Sequence, residues 1–568
     1  MFDSRMKGRN HWIAEIFPIF LALLCVSLLL QSLADHKYVL KELNYLSAPY
    51  YDPKGIAKAA VYLISYAASI GFILLVTIQR SRVLWAVFVA YILTSYIVDA
   101  SSQFIVSRSG FTHFQYALFL NEADNAKNLV VFWSEISMGL LAGGVLFAIL
   151  FGLRTFAKTK VSPRWLLAVP VFFLPVIVAK LGVHYVTYAS YPAPVKLPLI
   201  IANYHLTTVD QPPRVLAADV LPGQSKTDNL VLIVDESISG THLTINGYDR
   251  STTPDLEEFV KRGAIANFGV VNSTANCSAL SNLTLRIGLS SETEGAVANF
   301  ATVRRSLPTI YQYAKRAGYK TWLIDAQVKE GTMTNHLTYD DLKYVDEYFT
   351  NSSRIEDDKR DLTGLEKLKT VLKQDTSKKK LIVFVKDGAH WPYLWRFPKD
   401  KAIFSPVQST EYEPRAIENK EKLLNTYGNV VRYAVNDFLK RYLTEVNLNN
   451  AITFYTSDHG QTFLEADAKD NLTHCSSFYD PASSQVTVPL LVIESSPSKR
   501  YAPEAGKIYS QHQIFPSMLA EMGYSDGTVG RYGNTLLQGY PPNHQRWFYW
   551  SMEGDRSLYK PKASSSAP

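Results

Sequence analysis

Two short stretches of the sequence place metal-binding side chains directly behind an apolar run. Leu230 to Val234 ends in Asp235, Glu236 and Ser237, and Ile452 to Tyr455 ends in Thr456, Ser457, Asp458, His459 and Gly460. A carboxylate beside an imidazole, joined by a further carboxylate from another strand end, supplies the oxygen and nitrogen donors that suit zinc. A loop-capping Asp next to a surface His has the same spelling, so the dipeptide alone does not decide between them. A third stretch, Asn272 to Thr284, is rich in hydroxyls and includes Ser278 and Ser281. A hydroxyl next to a metal can lose its proton and act as a nucleophile; taken alone, such a cluster is more often the capped start of a helix.

The elements that must position these residues alternate. Leu381 to Val385 is another short apolar run ending in Lys386, Asp387 and Gly388, and helical stretches such as Pro254 to Lys261 and Leu307 to Ala317 lie between the strands. Strands that end in polar residues and alternate with helices predict a doubly wound α/β sheet with its site at the strand carboxyl ends. This soluble domain is expected over residues 229–568.

The amino-terminal part is of another kind. Five stretches carry the roughly 20 apolar residues that a membrane-spanning helix needs: Trp12 to Ala34, Ala59 to Ile78, Val83 to Val98, Leu129 to Leu153 and Trp165 to Val186. The first follows Arg5, Lys7 and Arg9, but it is too long for a signal peptide and no small-residue cleavage site follows. Arg80 and Arg82, with Arg154, Lys158, Lys160 and Arg164, mark further short basic connections. Basic loops stay on the cytoplasmic side, and an odd number of spans then puts everything after Val186 outside. The expected layout is a five-helix membrane domain over 1–186, a proline-punctuated surface linker over 187–228, and the α/β domain. Asp99 and Glu135 stand in or beside apolar stretches, where a charge is costly and often functional, unless both sit at the interface and touch water.

The chain has 568 residues, 47% hydrophobic and 19% charged, which excludes a disordered or fibrous protein. Several charges behind the net +7 flank apolar segments, so no nucleic-acid partner is expected. Cys25, Cys277 and Cys475 are too few for a disulfide scaffold.

Taken together, these residues resemble the alkaline phosphatase and sulfatase superfamily, and within it the membrane-bound phosphoethanolamine transferases that decorate bacterial lipopolysaccharide. Val234-Asp235-Glu236-Ser237 looks like the first metal motif of that family, and Asn246 to Pro254 resembles the stretch that follows it. Thr456-Ser457-Asp458-His459-Gly460 is similar to the second metal motif, and His474 followed by Gln485 to Pro489 looks like the distal histidine and the strand after it. The resemblance implies an alkaline phosphatase-like catalytic domain and a zinc ion held by Glu236, Asp458, His459 and the nucleophile. That nucleophile is Ser278, with Ser281 as the alternative. It further implies substrate contacts from His390, His474 and Lys329, and donor-headgroup contacts from Asn121 and Asp124. The implied reaction moves phosphoethanolamine from phosphatidylethanolamine to a glycolipid acceptor, lipid A or the lipopolysaccharide core. The implied setting is the bacterial inner membrane, among its lipids, with the catalytic domain in the periplasm. The same metal set would serve another headgroup such as phosphoglycerol, and a non-catalytic sensor would have no need of a nucleophile. Sulfatases convert a Cys followed by Pro and Arg to formylglycine, and Cys277-Ser278-Ala279 has neither. The family's several disulfides are reduced here to at most one, Cys277 to Cys475, or to two buried thiols.

Overall fold

The computed structural model describes residues 16–27, 67–106, 111, 116, 133–168, 192–208, 214–289, 307–329, 334–351, 355–374, 378–410, 417–465, 473–475, 483–494, 500–542, 548–550 and 556–558. They fall into two compact units, Met1–Gln211 and Pro212–Pro568.

In the first unit, α1 (Ile16–Ser27) and α2 (Ala67–Thr77) are short apolar helices. They are followed by α3 (Arg82–Val106), α4 (Trp133–Phe156) and α5 (Ala193–Thr208). Among the described residues, two helical stretches are long and apolar enough to cross a membrane, Arg82–Phe104 and Trp133–Phe156. Helices α1 to α4 fall on the first four expected spans. Of the fifth, only the start is described, within a 3-10 turn over Pro163–Ala168, and the rest lies outside the described residues. Helices α3 and α4 pack closely because α4 offers glycines four residues apart, on one face. A Cβ on Gly139 would lie 2.0 Å from Ser101 Oγ, and one on Gly143 would lie 2.4 Å from Ile97 Cγ1. Small residues at this spacing let apolar helices approach where no hydrophobic force distinguishes lipid from protein. Two of the basic connections meet at one end of this pair: Arg80 N–H donates to Val161 O at 3.0 Å, and Arg154 donates to Gln79 O at 2.5 Å. Asp99 is buried and paired with Lys196 of α5 at 2.6 Å. Glu135 is half-exposed in the first turn of α4, where it accepts the Ser134 hydroxyl at 2.5 Å.

The second unit is built on a seven-stranded sheet. Its strands are β1 (Asn229–Asp235), β2 (Ile265–Asn272), β3 (Lys320–Lys329), β4 (Glu347–Asn351), β5 (Lys380–Val385), β6 (Ala451–Ser457) and β7 (Thr487–Glu494). Their order is β2-β7-β6-β1-β5-β3-β4. The five strands β6-β1-β5-β3-β4 run parallel, while β7 pairs antiparallel with both β6 and β2. Every residue of β5, β6 and β7 is buried, which suits strands covered on both faces. Alternate residues serve two separate cores. Leu230, Leu232, Val234, Val383 and Phe454 face one layer with Tyr311 and Phe515. Val231, Ile233, Ile382, Phe384 and Tyr455 face the other, with Leu368, Tyr427 and Phe438. The expected α/β sheet with helices on both faces is what the chain forms.

Candidate functional site

Strands β1, β6 and β5 end side by side. Asp235 is in register with Ser457 and Val234 with Val385, so Glu236, Asp458, His459 and the Lys386 to Gly388 turn leave the sheet together at its carboxyl edge. The backbone is held tightly there. Ser237 has φ 62°, a left-handed conformation that costs a non-glycine residue about 1–2 kcal/mol. It is fixed by its N–H on Asp458 Oδ1 at 2.9 Å and its hydroxyl on Glu236 Oε1 at 2.6 Å. Gly388 has φ +46°, and a Cβ on it would lie 2.2 Å from Asp235 Oδ1; only glycine lets the β5 turn come this close.

Glu236, Asp458 and His459 are fully buried, with one donor atom from each within 4.8 Å of the others. His459 Nδ1 donates to the Gly460 carbonyl at 2.8 Å, which aims Nε2 into the cluster. That nitrogen is 3.4 Å from Glu236 Oε1 and 3.5 Å from Asp458 Oδ2. Ser278 is the first residue of α6 (Ser278–Ile287). Its hydroxyl lies 3.0 Å from His459 Nε2 and 3.2 Å from Glu236 Oε1. Donors sharing a tetrahedral zinc ion at about 2.0–2.2 Å stand about 3.3–3.6 Å apart, close to this spacing.

Electrostatics point the same way. Burial would raise the Glu236 carboxyl, but its bond to His459 holds it well below the usual range. Burial and the neighbouring Glu236 charge push Asp458 well above it. Burial would lower His459, but Asp458 and Glu236 outweigh it and push the imidazole up to about 9. Glu236 is thus held charged beside a cationic imidazole, while a charged Asp458 is disfavoured until further positive charge arrives. Asp458 Oδ2 is buried with no hydrogen-bond partner, a cost of about 1–3 kcal/mol. The donor set fits a divalent metal ion, which would remove that cost.

The remaining expected residues divide. Ser281, one turn along α6, is fully buried and donates to the Asp458 carbonyl, while Ser278 stays half-exposed. Cys277 and Cys475 form a disulfide across 198 residues of sequence. The bridge holds the 473–475 segment at the site, where the His474 ring stacks on that of His459 with centroids 4.1 Å apart. His390 donates from Nδ1 to the Trp391 carbonyl at 2.7 Å, and after His459 it adds to the electrostatic lowering of the Glu236 carboxyl. Lys329 closes β3 with its main chain opposite Asn351. Gln327, two residues earlier, is the β3 residue that reaches the cluster, donating to Glu236 Oε2 at 2.8 Å. Sequence reading passed over Gln327 because β3 shifts register between Asp325 and Lys329, which breaks the alternation a strand pattern relies on. Asn121 and Asp124 lie outside the described residues.

The sulfatase family model matches residues 228–524, more than half of the chain. The chain belongs to the sulfatase family. The matched segment of this sulfatase-family chain contains Glu236, Ser278, His390, Asp458, His459 and His474. The chain is 28% identical over 268 residues to phosphoethanolamine transferase EptC of Escherichia coli O18:K1:H7, covering 46% of this chain and 44% of that protein. It is 24% identical over 249 residues to the Kdo(2)-lipid A phosphoethanolamine 7''-transferase of Salmonella typhimurium, covering 43% and 41%. The aligned stretch thus spans less than half the length of either relative. Among solved structures, the integral membrane lipooligosaccharide phosphoethanolamine transferase A of Neisseria meningitidis shares the fold. Its TM-score is 0.61 at 17% identity, over 92% of this chain and 98% of that one. Within the sulfatase family, this member has its cysteine beside Ser278 locked in the disulfide with Cys475, so that sulfur is not free to become formylglycine.

Proposed function

We propose that this protein transfers phosphoethanolamine from phosphatidylethanolamine to an envelope glycolipid, lipid A or the lipopolysaccharide core, through a phosphorylated Ser278. One observation carries the reading: a half-exposed hydroxyl at a helix start stands 3.0 Å and 3.2 Å from two donor atoms of a buried metal-binding cluster. Glu236, Asp458, His459 and Ser278 would hold a zinc ion. When bound, it lowers the pKa of the serine hydroxyl and offsets charge that builds on the phosphoryl group. With its proton released to solvent, Ser278 Oγ attacks the phosphorus as the bond to the diacylglycerol oxygen breaks. The departing oxygen takes a proton from His390 or His474, and the first N–H groups of α6 favour the anion. An acceptor hydroxyl or phosphate oxygen then attacks the same phosphorus and frees Ser278. Lys329, Asn121 and Asp124 are assigned to substrate contacts by resemblance. A multi-pass anchor of five spans in the bacterial inner membrane, with the catalytic unit in the periplasm, would bring the site to a lipid donor.

The test is mass spectrometry of the detergent-purified protein after incubation with phosphatidylethanolamine, beside Ser278→Ala and Ser281→Ala. A phosphoethanolamine adduct lost only in Ser278→Ala is expected, with diacylglycerol released. An adduct lost only in Ser281→Ala would move the nucleophile, and no adduct with no diacylglycerol would overturn the donor.

A further inference from the structure

Directly beneath the cluster lies a buried charge pair that the proposed reaction does not use. Lys386 follows β5 and is fully buried, as is Asp235 at the end of β1. Its Nζ lies 2.5 Å from Asp235 Oδ2 and 3.5 Å from Asp361 Oδ2, and sits 4.2 Å from the centre of the Phe438 ring. It also donates to the Ala434 carbonyl at 2.5 Å. Ala434 belongs to a π-helical turn, Arg432–Asp437, where the i→i−4 ladder is broken and a carbonyl is released for another donor. Asp235 is tied to both metal-binding loops. Its Oδ1 accepts the Glu236 N–H at 3.0 Å and its carbonyl accepts the Asp458 N–H at 2.9 Å. Its Oδ2 also takes the Tyr455 hydroxyl at 2.7 Å. The Lys386 carbonyl in turn accepts Gln327 Nε2 at 3.0 Å, the same nitrogen that holds Glu236.

We infer that Lys386 is a positioning residue for the metal: it balances the Asp235 carboxylate, which holds the Glu236 backbone through Oδ1, and so keeps in place the strand end whose carbonyl holds the Asp458 backbone. The inference rests on the metal site proposed above. Burying Asp235 beside two ligand carboxylates without a cation would be expensive, and removing Lys386 alone leaves that charge to move away from Glu236 or draw the metal to itself. Removing both charges while keeping an acceptor at Oδ1 restores the balance.

The experiment measures zinc affinity of the full-length protein in detergent by competition with a chromogenic chelator, with a thermal melt on the same samples. The variants are Lys386→Met, Asp235→Asn and the two together. Outer-shell partners typically affect metal affinity by about 10–100-fold. A loss of that size is expected in folded Lys386→Met, with recovery towards wild type in the double variant. Should Lys386→Met fail to fold, a double variant that folds and binds zinc carries the same conclusion. Wild-type affinity in Lys386→Met, or a double variant that binds no better than Lys386→Met or does not fold, overturns it. Zinc binding by wild-type protein that forms no adduct with phosphatidylethanolamine would sink the proposed donor and leave the role of Lys386 standing. A wild-type protein that binds no zinc would overturn both.

Discussion

Ser281 gives its hydroxyl to the main-chain carbonyl of Asp458, one helical turn away from the serine that faces the Glu236, Asp458 and His459 cluster. Its hydrogen bond therefore joins α6 to the loop that carries two ligand candidates. Ser281→Ala is expected to keep the phosphoethanolamine adduct and to lower stability by about 1 kcal/mol, the usual value of one buried hydrogen bond. Ser278→Ala is expected to do the reverse, with a melting temperature near wild type and no adduct. Thermal melts and mass spectrometry of the two variants separate these outcomes.

Zinc uptake should depend on pH with a definite sign. Without the ion, Asp458 and Glu236 push His459 up to about 9, so below that pH a metal must displace a proton from Nε2. Apparent zinc affinity is expected to fall by at least about tenfold for each pH unit below about 9, with at least one proton, that of His459, released per ion. Chelator competition over a pH series measures the slope, and a flat profile would contradict the ligand role of His459.

Asp325 offers a stability test away from the ligands. Burial pushes its carboxyl from 3.8 up to about 7. A folded value above the unfolded one means the native state holds its proton more tightly, so stability is lost as pH rises from about 4 through 7. Asp325→Asn keeps an acceptor for the Gln327 N–H, which lies 3.0 Å from Asp325 Oδ1. It should be neutral at acid pH and stabilising by about 2–4 kcal/mol above pH 7. Denaturant melts at both ends of the range decide it, and a gain equal at the two pH values would refute the burial argument.

The Cys277 to Cys475 bridge pins the residue before Ser278 to the residue after His474. Replacing both cysteines with alanine is expected to cost about 2–5 kcal/mol, as for other native disulfides, and to slow adduct formation because His474 is no longer held against His459. Unfolding curves and the rate of adduct formation read the two effects. Unchanged rates would show that the 473–475 segment stays in place without the bridge.

Much of this protein is legible in its residues. The apolar runs ending in Glu236 and in Asp458-His459 give strands with chemistry at their carboxyl ends, because a strand buried on both faces must be apolar throughout and can turn polar only where it leaves the sheet. The long apolar stretches and their basic flanks stand out from the rest of the chain by length and charge alone, and two of the described helices they form are long and apolar enough to cross a membrane. What local sequence does not determine is which distant residues meet. Ser278 and Ser281 look alike, and only the direction of α6 turns one to the cluster and the other to a carbonyl. Gln327 and Lys386 read as ordinary residues of a strand and a turn. The register of β1 with β5, and the break in the alternation of β3, bring them against Glu236 and Asp235. The order β6-β1-β5 was likewise fixed by tertiary pairing, since strands far apart in sequence become neighbours only when the sheet closes its two hydrophobic layers.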